Sequence, residues 1–255
     1  MKRFISIAIL SLIVALCASV ANARTYALVT GVSRYDIEEA NLAQSTKDAK
    51  AFRDVLLKQT PDVTILTSKY ANRNNIMEKL RAICNRAQKG DRIIFFFSGH
   101  GDNGFLLTSD MKPLYYSDLV EALSSTDASE VICFIDACFA GSVANSASQV
   151  NASDTSTLKP KDGHIYFVSC RADEKSAEAP WVGQGFFTQA LLKGFRGKGD
   201  YNHDRKVTAM ELFKYIHADV VRRSRKGQHP VLIAPKGMLD TVVADWTAEE
   251  APKKK

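Results

Sequence analysis

Five short, nearly continuous apolar runs alternate with stretches of helical periodicity, and this alternation restricts the fold more than any other property of the chain. The runs occupy residues 26–31, 63–67, 91–97, 131–136 and 164–169. Lacking the polar alternation of a half-exposed strand, they suit strands covered on both faces, as in a parallel sheet. Between them, residues 43–58 place Ala49, Phe52, Val55 and Leu56 at helical spacing, and residues 74–88 do the same with Ile76, Leu80, Ile83, Cys84 and Ala87. Ser117 is expected to cap a further helix running to about Leu123. Two more helices are expected over 186–195 and 209–223. Strand–helix–strand repetition at this spacing predicts an α/β domain with a mostly parallel sheet and helices on both faces.

The beginning of the chain reads differently. Lys2 and Arg3 precede an apolar stretch over residues 4–20, and Ala21-Asn22-Ala23 offers a small-x-small cleavage site. Residues 1–23 are therefore expected to be a signal peptide, giving an exported protein, periplasmic or secreted, with no stable membrane insertion. The formal net charge is +6, from which loss of Lys2 and Arg3 leaves +4. The basic residues are dispersed, and the short clusters at 222–226 and 253–255 are not interleaved with aromatics, so no nucleic-acid partner is expected. Residues 24–246 read as one domain and 247–255 as a disordered tail. The segment 141–163 is rich in Ser, Ala, Asn, Thr and Asp without apolar periodicity, and reads as a flexible linker loop. Of the four cysteines beyond the leader, Cys84 and Cys133 fall in apolar stretches and read as buried thiols. Cys138 and Cys170 fall at strand ends.

Two strand exits carry the chemistry. The third run leads into Ser98-Gly99-His100-Gly101-Asp102, and the fourth into Asp136-Ala137-Cys138-Phe139-Ala140-Gly141. Ligands of open parallel sheets bind beyond the carboxyl ends of the strands. Neighbouring strands would therefore bring His100 and Cys138 together on one rim. A free thiol is only a few per cent ionised at neutral pH, so a nucleophilic cysteine needs a base beside it. An imidazole serves, and afterwards protonates the leaving amine. The backbone N–H groups of Gly101 and Cys138 are candidate donors to an oxyanion.

Together these two exits resemble the caspase-like cysteine peptidases, most closely the metacaspase and bacterial branch. Thr30-Gly-Val-Ser-Arg-Tyr35, Lys47-Asp-Ala49, Gly185-Phe-Phe-Thr188 and Gln228-His-Pro230 extend the similarity across nearly the whole mature chain. The resemblance implies a six-stranded caspase-like sheet and a dyad of His100 and Cys138 that needs no third orienting side chain. It also implies an endopeptidase working through a thioester acyl-enzyme. Apoptotic caspases carry Gln two residues before the nucleophile, where this chain has Asp136. Asp48 matches an acid of the metacaspase first helix, and Ser98 and Ser45 match polar members of the same pocket. Two carboxylates facing the P1 side chain imply a substrate with Lys or Arg there. Arg171 favours the opposite charge, but Asp173 and Glu174 follow it closely. The same implied fold also admits a catalytically silent binding module, or a peptide ligase using the same dyad. In such enzymes the linker is often cut, and Lys159 and Lys161 are the expected self-cleavage points.

Residues 200–211 match the ligand positions of a twelve-residue calcium loop at Asp200, Asn202, Asp204, Thr208 and Glu211. Arg205, however, stands where that loop requires glycine, and Gly194, Gly197 and Gly199 interrupt any helix entering it. Calcium is possible there, but the expectation is that the protein needs no cofactor and no metal. His164, His203, His217 and His229 show no ligand spacing with one another or with cysteine. There is no phosphate-binding loop, dinucleotide fingerprint or serine-nucleophile elbow.

Overall fold

The computed structural model describes residues 23–102, 104–138, 162–171 and 185–248. The expected leader save Ala23, the linker save residues 162 and 163, the tail beyond residue 248, and Lys159, Lys161, Asp173 and Glu174 lie outside the described residues.

The strands are β1 (Thr25–Gly31), β2 (Val63–Thr67), β3 (Arg92–Ser98), β4 (Gly101–Asp102), β5 (Phe105–Leu107), β6 (Pro113–Tyr115), β7 (Glu130–Asp136), β8 (His164–Val168), β9 (Lys206–Thr208), β10 (Val231–Ile233) and β11 (Val242–Asp245). The α-helices are α1 (Ser45–Leu56), α2 (Arg73–Arg86), α3 (Tyr116–Ser124), α4 (Phe186–Lys193) and α5 (Ala209–Arg223). Six strands form the central sheet in the order β10-β8-β7-β3-β1-β2. All its pairs are parallel except β10 on β8, which is antiparallel.

The period of two divides each central strand between two cores. Leu28, Phe95, Phe97, Cys133, Ile135 and Tyr166 pack on one face with α2 and α3. Val29, Phe96, Ile132, Phe134 and Phe167 pack on the other with α1, α4 and α5. On that second face Phe52 of α1 meets Phe96, Phe134 and Phe195 at centroid separations of 4.9, 5.3 and 5.6 Å. The pairs with Phe134 and Phe195 are edge-to-face, a geometry that contributes about 1 kcal/mol each beyond burial. The α1–β1 contact is closest at Gly31, where a Cβ would lie 2.3 Å from the Ser45 carbonyl oxygen and 2.6 Å from Ala49 Cβ. Only glycine permits that approach.

The expected strands and helices are present with boundaries shifted by a residue or two. One expectation is corrected: Ser117 does not cap α3, which begins at Tyr116 with Tyr115 as its cap. The chain enters this helix directly from β6, and the Tyr116 N–H is satisfied by the Gly104 carbonyl at 2.9 Å, so no side-chain cap is needed. Two small antiparallel sheets, β4-β5-β6 and β9-β11, complete the fold. Among the described residues no helix is long and apolar enough to cross a membrane.

Candidate active site

Register sets the site. Ser98 at the end of β3 pairs with Asp136 at the end of β7. His100 and Cys138 each follow two residues later, so the two side chains leave one rim from adjacent strands. The exits are tied together, since the Gly99 N–H donates to the Asp136 carbonyl at 3.2 Å. Gly101 lies against the backbone of Cys138: a Cβ there would stand 2.8 Å from the Cys138 carbonyl oxygen and 2.9 Å from Ala137 Cβ.

The loop between β1 and α1 fixes the histidine. His100 Nε2 lies 2.9 Å from the Ala40 carbonyl oxygen. A carbonyl only accepts, so in the neutral ring Nε2 carries the proton and Nδ1 keeps its lone pair. The Tyr35 ring packs on the imidazole at 5.1 Å, and its hydroxyl accepts the His100 N–H at 2.8 Å. A bond from the Tyr35 N–H to Asn41 Oδ1 and one from the Leu42 N–H to the Ser33 carbonyl brace the loop. Sequence reasoning missed the Ala40 carbonyl because a backbone acceptor leaves no residue-type signature.

Cys138 is half-buried, whereas Cys84, Cys133 and Cys170 are buried. Burial pushes the Cys84 thiol up to about 11 and raises that of Cys133 as well. Next to Cys138, the Ser169 hydroxyl donates to the Ala137 carbonyl at 3.0 Å and accepts the Ala137 N–H at 3.2 Å. The Cys170 thiol donates to the same carbonyl at 3.3 Å. Gln228 Nε2 donates to the Ser169 carbonyl at 2.7 Å, which joins the residues before β10 to this support. Burial raises the phenol of Tyr116, and the thiols of Cys170 and Cys138 add to the effect, as expected for a ring set under this exit.

The small sheet orients one of the two candidate oxyanion donors. The Leu107 N–H donates to the His100 carbonyl at 2.9 Å. This makes Gly101–Leu106 a non-hydrogen-bonded antiparallel pair, so the Gly101 N–H faces away from β5.

The two carboxylates occupy one buried corner. Asp48 is 2 % exposed and accepts a bond from Ser98 Oγ at 3.0 Å. Asp136 is 6 % exposed, and its Oδ2 accepts both the Thr188 N–H at 3.1 Å and the Thr188 hydroxyl at 2.7 Å. A Cβ on Gly185 would lie 2.9 Å from Asp136 Oδ2 and 3.8 Å from Asp48 Oδ2. Both acids thus flank the start of α4, whose N-terminal dipole favours negative charge. Ser45 is buried and precedes Asp48 by three residues on the same helical face. Thr188 was within a motif legible in the sequence, but its bonds to Asp136 were not.

The loop over residues 200–211 differs from its expectation in one respect: Arg205 adopts φ +68° without being glycine. The helical path ahead of the loop is broken at Arg196 and at Gly197, the latter at φ +100°, as the glycines there led one to expect. The loop's polar groups are turned inward on the loop itself. Asp200 Oδ2 accepts the Arg205 N–H, and Glu211 closes a capping box with Thr208. Among the described residues no group of three or more His, Cys, Asp or Glu side chains is placed to hold a metal ion.

The sequence matches the caspase domain of the C14 peptidases over residues 24–236. A curated relative, a probable protease from a Desulfuromonadales bacterium, is 25% identical over 90% of this chain. The chain spans about a third of that relative's length, 35%. Two solved structures share the fold. One is a Geobacter sulfurreducens protein, with a TM-score of 0.65 and 18% identity, covering 87% of this chain and 98% of that one. The other is caspase-1 of Spodoptera frugiperda, with a TM-score of 0.61 and 16% identity, covering 88% and 90%.

Proposed function

Because this chain belongs to the caspase-domain family of peptidases, we propose that it is a cysteine endopeptidase that cuts peptide bonds after Lys or Arg. The observation that carries the proposal is the in-register exit of His100 and Cys138 from β3 and β7, with the imidazole held by Ala40. His100 Nδ1 takes the thiol proton as Cys138 Sγ attacks the carbonyl carbon after the P1 residue. The oxygen gains charge in front of the Gly101 and Cys138 N–H groups. The C–N bond then breaks, the amine leaves with the proton held by His100, and a thioester remains. Water, deprotonated by the same imidazole, releases the acid and regenerates the thiol. The dyad supplies nucleophile and base unaided, so chelators should leave turnover unchanged.

Asp48 and Asp136 are the proposed partners of the cationic P1 side chain, with Ser98 and Ser45 beside them. The Thr188 bonds occupy Asp136 Oδ2. Export through residues 1–23 and self-cleavage at Lys159 or Lys161 belong to the same proposal. A fluorogenic panel with Arg, Lys, Asp and Asn at P1, run on the wild type and on Cys138→Ala, tests the reading. Cleavage of the Arg and Lys substrates by the wild type alone is expected. A preference for Asp, or equal turnover by Cys138→Ala, would overturn it.

A further inference from the structure

The loop over residues 32–43 has two sides. One carries Tyr35 and Ala40 against His100. The other helps line a separate open cleft of about 560 Å³ where β1 and β2 end and α1 begins. Arg34, Lys47 and Lys50 line this cleft, and no Asp or Glu does. All three cations are exposed. Among the described residues the side chains of Arg34 and Lys50 have neither a hydrogen bond nor an ion pair. Lys47 reaches only Gln44 Oε1, at 3.5 Å. Asp48 lies on the buried side of α1, engaged by Ser98.

The neutral groups of the cleft add donors. Ser33 Oγ already accepts the Thr46 N–H at 2.8 Å, which leaves its proton for a ligand. Asn41 Oδ1 accepts the Tyr35 N–H, which leaves its amide N–H groups. An ordinary surface intersperses charges of both signs. Here three cations and two neutral donors converge on one concavity beside the positive end of α1, which focuses a positive field. Lys47 and Lys50 stand one helical turn apart. An open cleft with its charges spread in this way suits several carboxylates along a chain better than one compact ion.

We propose that this cleft is an exosite for acidic residues of the protein substrate, placed on the same carboxyl rim of the sheet as the dyad. The assignment rests on the peptidase reading above. The preferred substrate is then a Lys or Arg cleavage point with Asp or Glu residues at a distance from it.

Binding tests this without turnover. Fluorescent peptides containing one Arg, with a run of Glu or of Gln on either side, are titrated against the Cys138→Ala protein at low salt and followed by anisotropy. One Glu peptide should bind about tenfold more tightly than its Gln counterpart, an advantage that fades with salt. Arg34→Glu with Lys50→Glu should remove the advantage while keeping the thermal midpoint. In protein with Cys138 intact, the same pair of substitutions should leave cleavage of an uncharged-flank Arg substrate within about twofold. Equal affinity for the Glu and Gln peptides, or a Glu advantage that survives the double substitution, overturns the exosite. Inorganic phosphate binding more tightly than any Glu peptide, and lost in the double variant, overturns it in favour of a free-anion site. Failure of the peptidase reading appears separately, in the fluorogenic panel.

Discussion

Asp136 is asked to do two things at once, and substitutions can separate them. Its Oδ2 caps α4 through the Thr188 N–H and hydroxyl, while the carboxylate lends charge to the proposed P1 pocket. Asn keeps an acceptor for Thr188 and removes the charge. Asp136→Asn should therefore lower kcat/KM for Arg substrates by a factor corresponding to about 2 kcal/mol, with little change in the denaturation midpoint. Asp136→Ala also orphans the Thr188 N–H, and should cost about 1 kcal/mol of stability in a urea titration. If Asp136→Asn leaves Arg turnover intact, the residue only caps the helix. Thiol accessibility gives a second residue-scale prediction. Iodoacetamide on the native protein should label Cys138 and spare Cys84, Cys133 and Cys170, which peptide mapping by mass checks. His100 and Cys138 were singled out from residue type and spacing, and both acids through the family resemblance. The Ala40 carbonyl, the Tyr35 hydroxyl and the Thr188 bonds were not, because each depends on which backbone stretch the fold brings alongside.

Among the elements, α1 is placed by one missing atom. Gly31 lets the Ser45 carbonyl and Ala49 come against β1. Gly31→Ala must push α1 away from the sheet, costing about 3 kcal/mol as an overpacking substitution. Because α1 carries Asp48, the same change should raise KM for Arg substrates more than it lowers kcat. Denaturation and steady-state kinetics on one preparation test both effects, and an unchanged midpoint would refute the close-approach argument. The five long apolar runs and the helical faces were readable because burial on both sides of a sheet imposes them. Strands β4, β5, β6 and β9 have two or three residues each, too few for any period to show. The start of α3 escaped for a related reason. Its cap is a backbone bond to Gly104, and Ser117 only mimicked the usual signal.

For the whole molecule, the proposed self-cleavage predicts two chains from purified wild-type protein on a denaturing gel and a single intact chain from Cys138→Ala. An uncut wild type with full activity, or equal nicking of both proteins, would reject it. The sheet order decides what becomes of the products. β8 follows Lys159 and Lys161 in sequence but lies between β7 and β10, parallel to the strand that leads to Cys138. The Thr188–Asp136 bonds and the Cys170 and Ser169 bonds to Ala137 cross the same boundary. Severing the peptide there removes a covalent link but leaves every one of these contacts in place. The two pieces should migrate as one particle in gel filtration and part only in denaturant, so that breakage of the chain and loss of the enzyme become separate events.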